Sequence, residues 1–210
     1  DGTGSASIVP ADIDATVPDQ CGVQSISVTP NAFTCADMGT NTVTLMLNYS
    51  NGNSITCTST VTVVDNTAPQ IFCPANVTLD NDPGQCATVV NGIDPAAIVE
   101  NCAHVLTYAR SGAVNDSGTG PVSGLDFPVG TTMVTYTATE VAGLQASAQC
   151  SFIVTVEDNE APDANIANLP TLTGECNVNV GATPTATDNC EGAITGTTSD
   201  PLVYNAQGTY

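Results

Sequence analysis

The chain has 210 residues, 41% of them apolar but only 4% aromatic, and it sets one strong base, Arg110, against 21 acids for a net charge of -20. Neutralising phosphates takes Lys and Arg, so a nucleic-acid surface is excluded, and so are attraction to an anionic membrane and, with no long apolar run, insertion into one. Only 10% of residues are charged, and plentiful, regularly placed Val, Ile and Thr favour pleated sheets over acidic disorder.

The first clear strand lies in "MGTNTVTLMLNYSNG" (38–52). Val43, Leu45, Leu47 and Tyr49 share one face, with Thr44, Met46 and Asn48 opposite. A period of two marks a half-buried strand of an antiparallel sheet. The Asn-Gly in "SNGNS" (50–54) then predicts a hairpin into the strand "CTSTVTVVD" that opens at Cys57. The block "VVDNTAPQ" (63–70) follows, and 93 positions later the chain reads "VEDNEAPD" (156–163) after "CSFIVTVED" from Cys150. Each time a strand ends, an Asp-Asn pair follows, and Pro stiffens the entry to the next strand, where a missing ladder donor is tolerated.

Other segments recur with it. "PVGTTMVTYTATEVAG" (128–143) resembles 38–52, "PGQCATVV" (83–90) resembles "TGECNVNV" (173–180), and "ENC" (100–102) resembles "DNCEG" (188–192) and "DQCG" (19–22). Repetition of this kind defines units. Residues 65–157 form a complete one, 1–64 the later part of a preceding unit, and 158–210 the earlier part of a following one. About 93 residues of short strands and Gly/Pro/Asn turns is the size of an immunoglobulin-like sandwich. The expected fold is all-β: tandem immunoglobulin-like antiparallel β-sandwich modules stapled by disulfides. No 12-residue window has a helical period.

Nine cysteines stand at 21, 35, 57, 73, 86, 102, 150, 176 and 190. None forms a Cys-x-x-Cys pair, and one His cannot complete a zinc-finger set. Spaced along strand-like runs they read as disulfides, which implies an oxidising, extracellular compartment.

The residues at this point carry a family resemblance. Cys73-Pro74, Asn101-Cys102, the run Phe127 to Tyr136 and the run Cys150 to Val156 resemble the four marks of the hyalin repeat (HYR) module. The resemblance covers about 67–157, and the flanks resemble related Cys-containing repeats of large secreted surface proteins of Bacteroidetes-like bacteria. It implies an immunoglobulin-like fold in extracellular, often adhesive, multi-module proteins. One departure is "TEVAGLQA" (139–146), where the family usually has Asp-x-x-Gly-Asn.

Sandwich topology lets first and last strands neighbour each other, so Cys73 is expected to pair with Cys150. Cys86 with Cys102 would staple an early turn, and the same logic pairs Cys176 with Cys190 and Cys35 with Cys57. Cys21 is left over, its partner expected before residue 1. The late strands absent from 158–210 are likewise expected from outside this stretch, supplied by a longer chain or by a neighbouring subunit.

Candidate chemistry is sparse. The carboxylate pairs of "DNDPG" (80–84) and "DNEAPD" (158–163) read as turn residues that bond their own backbone, not as acid-base catalysts. A lone His104 and the Ser-Gly turns at 111–112 and 117–118 lack any nucleophile constellation, and Arg110 is expected to pair with an acid. The expectation is therefore no enzyme. Calcium suits the oxygen-rich junctions better: Asp65, Asn66, Asp158, Asn159 and Glu160 precede Pro at the unit boundaries, with Asp80 and Asp82 able to approach from the next module. The expected function is a structural or adhesive extracellular repeat protein building a cell-surface stalk, adhesin or head-to-tail fibre, with other copies or flanking repeats as partners. The alternative is a glycan- or surface-protein-binding accessory module, which the absence of Trp disfavours.

Overall fold

The computed structural model describes residues 3–14, 22–143, 146–175, 177–181 and 183–205. Its fold is all-β but for short helical turns, a succession of small sheets tied together by disulfides. The first stretch holds β1 (Ser5–Ser7), β2 (Val23–Thr29), β3 (Ala32–Thr34), β4 (Gly39–Tyr49) and β5 (Ser54–Val63). Strands β2, β4 and β5 form an antiparallel sheet, and β1 pairs with β3. Val43 and Leu45 of β4 meet Val28 and Phe33 in a small core, as their alternation requires. The hairpin after Tyr49 closes where Asn-Gly predicts it, with Gly52 at positive φ. A one-turn helix, α1 (Pro10–Ile13), escapes the periodicity argument because it is too short to show a period. Pro10 costs nothing in a first turn, where its missing N–H would be unpaired anyway, and Asp12 accepts the Val9 N–H at 2.8 Å.

The central stretch carries β6 (Gln70–Phe72), β7 (Val77–Asp80), β8 (Ala87–Val90), β9 (Ala97–Val99), β10 (His104–Gly112), β11 (Asp116–Thr119), β12 (Leu125–Pro128), β13 (Gly130–Glu140) and β14 (Ser147–Glu157). A five-stranded sheet runs β11-β10-β13-β14-β7, antiparallel except that β7 lies parallel to β14. That pairing makes early and late strands of the module neighbours. Phe152, Val154 and Val156 point inward from β14 and Val134, Tyr136 and Ala138 from β13, packing with Phe127, Val90, Ile93 and Val122 of the facing segments.

Among the described residues Tyr136 is the largest side chain sealed inside. Its hydroxyl donates to the Ile93 carbonyl at 2.9 Å and accepts the Val122 N–H at 3.0 Å, and burial pushes its ionisation above the ordinary tyrosine range. Phenylalanine there would strand two buried backbone groups. Tyr136→Phe is expected to cost about 1–3 kcal/mol in denaturant unfolding, although no apolar contact is lost.

The last stretch is thinner: β15 (Asp163–Ala164), β17 (Thr185–Asp188) and β18 (Gly192–Thr195) form one sheet, and β16 (Val178–Asn179) pairs with β19 (Val203–Tyr204). Most of its described side chains are exposed.

Three disulfides are present among the described residues, and they correct most of the expected pairing. Cys73, just past β6, is bonded to Cys150 in β14. Cys35 bonds Cys102 rather than Cys57, Cys86 bonds Cys190 rather than Cys102, and Cys57 is free and exposed. Distance decides each case. The Cys86 carbonyl takes the Val129 N–H and the Ala103 carbonyl takes the Val141 N–H, so Cys86 and Cys102 stand at opposite ends of β13. At roughly 3.3 Å per residue those ends are about 40 Å apart, whereas a disulfide needs Cα atoms within about 7 Å. Cys35 lies in the 3-10 turn Cys35–Asp37, in a cleft it shares with Val63, and Cys57 sits six residues back along β5, about 20 Å away. The expected Cys176–Cys190 bond fails because Cys190 is taken by Cys86. Cys176 and Cys21 lie outside the described residues.

Candidate functional site at the junctions

Two of the three disulfides cross from one stretch of sheets to the next, and around each crossing the junction acids gather partners. At the first junction β5 ends and Asp65 is buried at 5% exposure. Its Oδ1 accepts the Thr67 N–H at 2.9 Å, the Asx turn typical of Asp, and the Asn101 side-chain amide at 3.3 Å. The loop from β9 to β10 brings Glu100, whose Oε1 accepts the N–H groups of Asn101 and Cys102 at 2.8 and 3.0 Å. From the end of β13 comes Glu140, 4% exposed, with Oε2 accepting the Ala146 N–H at 3.2 Å.

Asp65 Oδ2, Glu100 Oε2, Asn101 Oδ1 and Glu140 Oε1 are all buried without a hydrogen-bond partner. One oxygen from each of the three carboxylates lies within 4.8 Å of the other two. Among the described residues no side chain neutralises them. Arg110 sits six residues along β10 from His104, about 20 Å away, and is held by Asp116. His104 is the cross-strand neighbour of Glu140, but its ring is exposed and makes no ion pair with it.

Close approach at this junction depends on glycine. Gly143, at φ +93, lies where a Cβ would come within 2.7 Å of Met38 Cε and 2.9 Å of Asp65 Cβ, and a Cβ on Gly4, at φ +70, would meet the Asn101 carbonyl oxygen at 2.4 Å. Either substitution would push the first stretch away from the second.

The second junction repeats part of this plan. Asp158 Oδ1 accepts the Glu160 N–H at 3.1 Å, and Asp188 Oδ1 accepts those of Cys190 and Glu191 at 2.7 and 2.8 Å. Asp158, Asp188 and Cys190 come within 4.8 Å of one another, with Cys190 held in its disulfide. Glu160 acts as a clasp: it accepts the Gly84 N–H at 2.9 Å and the side-chain amides of Asn81 at 3.4 Å and Asn189 at 2.8 Å.

Of the residues expected to bind calcium, Asp65 and Asp158 each meet a second acid. Asn66 lines the cleft at the first junction but is exposed. Asp80 and Asp82 lie at the far end of the central module from Asp65. Asp80 bonds the Asn159 side-chain amide, and Asp82 accepts Thr88 Oγ1 at 3.1 Å within its own turn. Asn159 and Glu160 are engaged in hydrogen bonds across the second junction. Sequence reasoning missed Glu100, Asn101, Glu140 and Asp188. A signal for three of them is present, since the acid-Asn-Cys triplet recurs at 100–102 and 188–190, but on spacing alone the triplet marks only its cysteine.

Residues 64–156 match the HYR domain family, which supports an HYR module over the central stretch. Over 136 residues, 62% of this chain, it is 34% identical to "Hyalin" of Strongylocentrotus purpuratus. The chain spans 10% of the length of that relative. A solved structure titled "Structures of Clostridium thermocellum CbhA fibronectin(III)-like modules" is similar at 14% identity and a TM-score of 0.31, covering 68% of this chain and 83% of that one. The three disulfides fit a secreted protein, and among the described residues no helix is long and apolar enough to cross a membrane.

Proposed function

We propose that the chain is a structural segment of an extracellular stalk, adhesin or fibre, in which sandwich modules are clamped end to end. The observation that carries this reading is the pair of crossing bonds: Cys35–Cys102 ties the first stretch to the second and Cys86–Cys190 ties the second to the third. A disulfide confined to one module stabilises that module only. A bond between modules also limits how they swing, and the Glu160 clasp and the tight contacts at Gly4 and Gly143 act in the same sense. The partners under this reading are other copies or flanking repeats of the same protein.

Small-angle scattering of the 210-residue chain tests the clamp. Oxidised protein is expected to give a narrow distribution of end-to-end distances, and mild reduction that opens the two crossing bonds is expected to broaden it while the sheet signal in circular dichroism persists. An unchanged distribution after proven reduction would remove the mechanical role of the bonds.

A further inference from the structure

We propose that Asp65, Glu100, Asn101 and Glu140 form a calcium site at the first junction. The site does not depend on whether the chain builds a stalk. Three carboxylates each place one oxygen within 4.8 Å of the other two, and Asn101, whose side-chain amide bonds Asp65 Oδ1, has a buried Oδ1 without a partner. Two of the carboxylate side chains, Asp65 and Glu140, are more than nine-tenths buried with an oxygen that has no partner. Buried anionic oxygens without donors are costly, and clustering like charges adds repulsion. Proteins of this composition have almost nothing of their own to neutralise them: the chain holds one Lys or Arg, and Arg110 is committed elsewhere. The missing charge is therefore a bound cation.

Its chemistry follows from the ligands. All four atoms are hard oxygens, and the nearby Cys102 is oxidised, so a soft thiolate-seeking metal has nothing to hold. Calcium takes six to eight oxygens in flexible geometry, and four protein oxygens from three separate segments suit it. Magnesium demands a tighter octahedron and keeps most of its water. The second oxygens of these carboxylates and water can supply the remaining positions. Because Asp65 opens the central unit just after β5, the ion would fasten the entry of that unit to Glu100, Asn101 and Glu140 at its end. It lies beside the Cys35–Cys102 bond, whose partner Cys102 follows Asn101 directly.

The test uses the oxidised 210-residue chain, stripped with chelator and then melted with and without about 10 mM calcium chloride. Extracellular calcium modules bind with dissociation constants of about 0.1–1 mM, and stabilisation by mass action at that occupancy gives an expected rise of about 5–15 °C. Glu140→Gln is expected to lose most of that rise and, in chelator, to melt no lower than the parent, because it relieves repulsion. A purely structural role for Glu140 would instead lower melting equally in both conditions. Asp82→Asn, remote from the cluster, should keep the full rise. Equilibrium dialysis of the parent chain against calcium reads the site without any variant and should find at least one bound ion. No rise in the parent, a full rise in Glu140→Gln, or an equal rise with magnesium at matched ionic strength would each overturn the site.

Discussion

Replacing Cys73 and Cys150 together with serine is expected to cost the central module about 4 kcal/mol. The bond spans 77 residues, and the chain-entropy estimate for a closed loop of that length is about 4–5 kcal/mol when the native geometry is relaxed. A domain of this size has only about 5–15 kcal/mol of net stability, so the loss takes much of the margin. The position sharpens the expectation. Cys73 follows β6 and Cys150 lies in β14 opposite Tyr136, so the bond holds the entry of the module to an interior strand of its five-stranded sheet. Urea unfolding of the double variant should move to a markedly lower midpoint, with hydrogen exchange rising first in β6 and β7. A midpoint shift worth less than about 1 kcal/mol would mean that β7–β14 pairing alone holds the module closed.

The second large effect is expected at Arg110. Arg110 is 8% exposed, and its guanidinium donates Nε to Asp116 Oδ1 at 2.7 Å, Nη2 to Asp116 Oδ2 at 2.5 Å and Nη1 to the Asp126 carbonyl at 2.7 Å. It also lies 4.8 Å from the Phe127 ring centroid, within cation–π range. Removing the acid leaves a buried charge without its counter-ion, which costs about 3–5 kcal/mol at fully buried sites. Asp116 is 39% exposed, so water recovers part of that, and Asp116→Ala is expected to cost about 2 kcal/mol. The double variant Arg110→Met with Asp116→Ala should regain much of the loss, since the charge leaves with its partner. The hydrogen bonds from Arg110, reinforced by its charge, hold the Asp116 carboxyl below its ordinary range despite the opposing effect of burial. Its contribution is therefore present above the unfolded Asp value of about 4 and is lost as pH falls through the lower folded value. Asp116→Ala should accordingly differ from the parent at neutral pH and converge toward it in acid.

The strands of strongest alternation are legible from residue order alone. Val43–Leu45–Leu47 and Phe152–Val154–Val156 show their buried face in the sequence, and Asn51-Gly52 marks its hairpin. The β7–β14 neighbourhood that places Cys73 near Cys150 follows from sandwich topology. The crossing bonds do not, because spacing along the chain says nothing about which end of a sandwich a cysteine occupies. Cys86 and Cys102 are 16 residues apart in sequence yet stand at opposite ends of β13. The acid cluster is half legible for the same reason. Asp65 and Asp158 stand out as repeated junction acids, while Glu100 and Glu140 reach Asp65 only through the return of two loops to one end of the module. Glu140 occupies the acid position of the pattern that "TEVAGLQA" otherwise breaks, so its carboxylate is visible in the sequence and its destination is not.

Covalent bonds cross both junctions, and non-reducing peptide mapping reads them without any variant. Arg110 is the sole tryptic site, but cleavage before aspartates places Cys35, Cys57, Cys86, Cys102 and Cys190 on separate peptides. The expected peptides link Cys35 to Cys102 and Cys86 to Cys190. Peptides joining Cys35 to Cys57, or Cys86 to Cys102, would confine the bonds within modules and contradict the crossing.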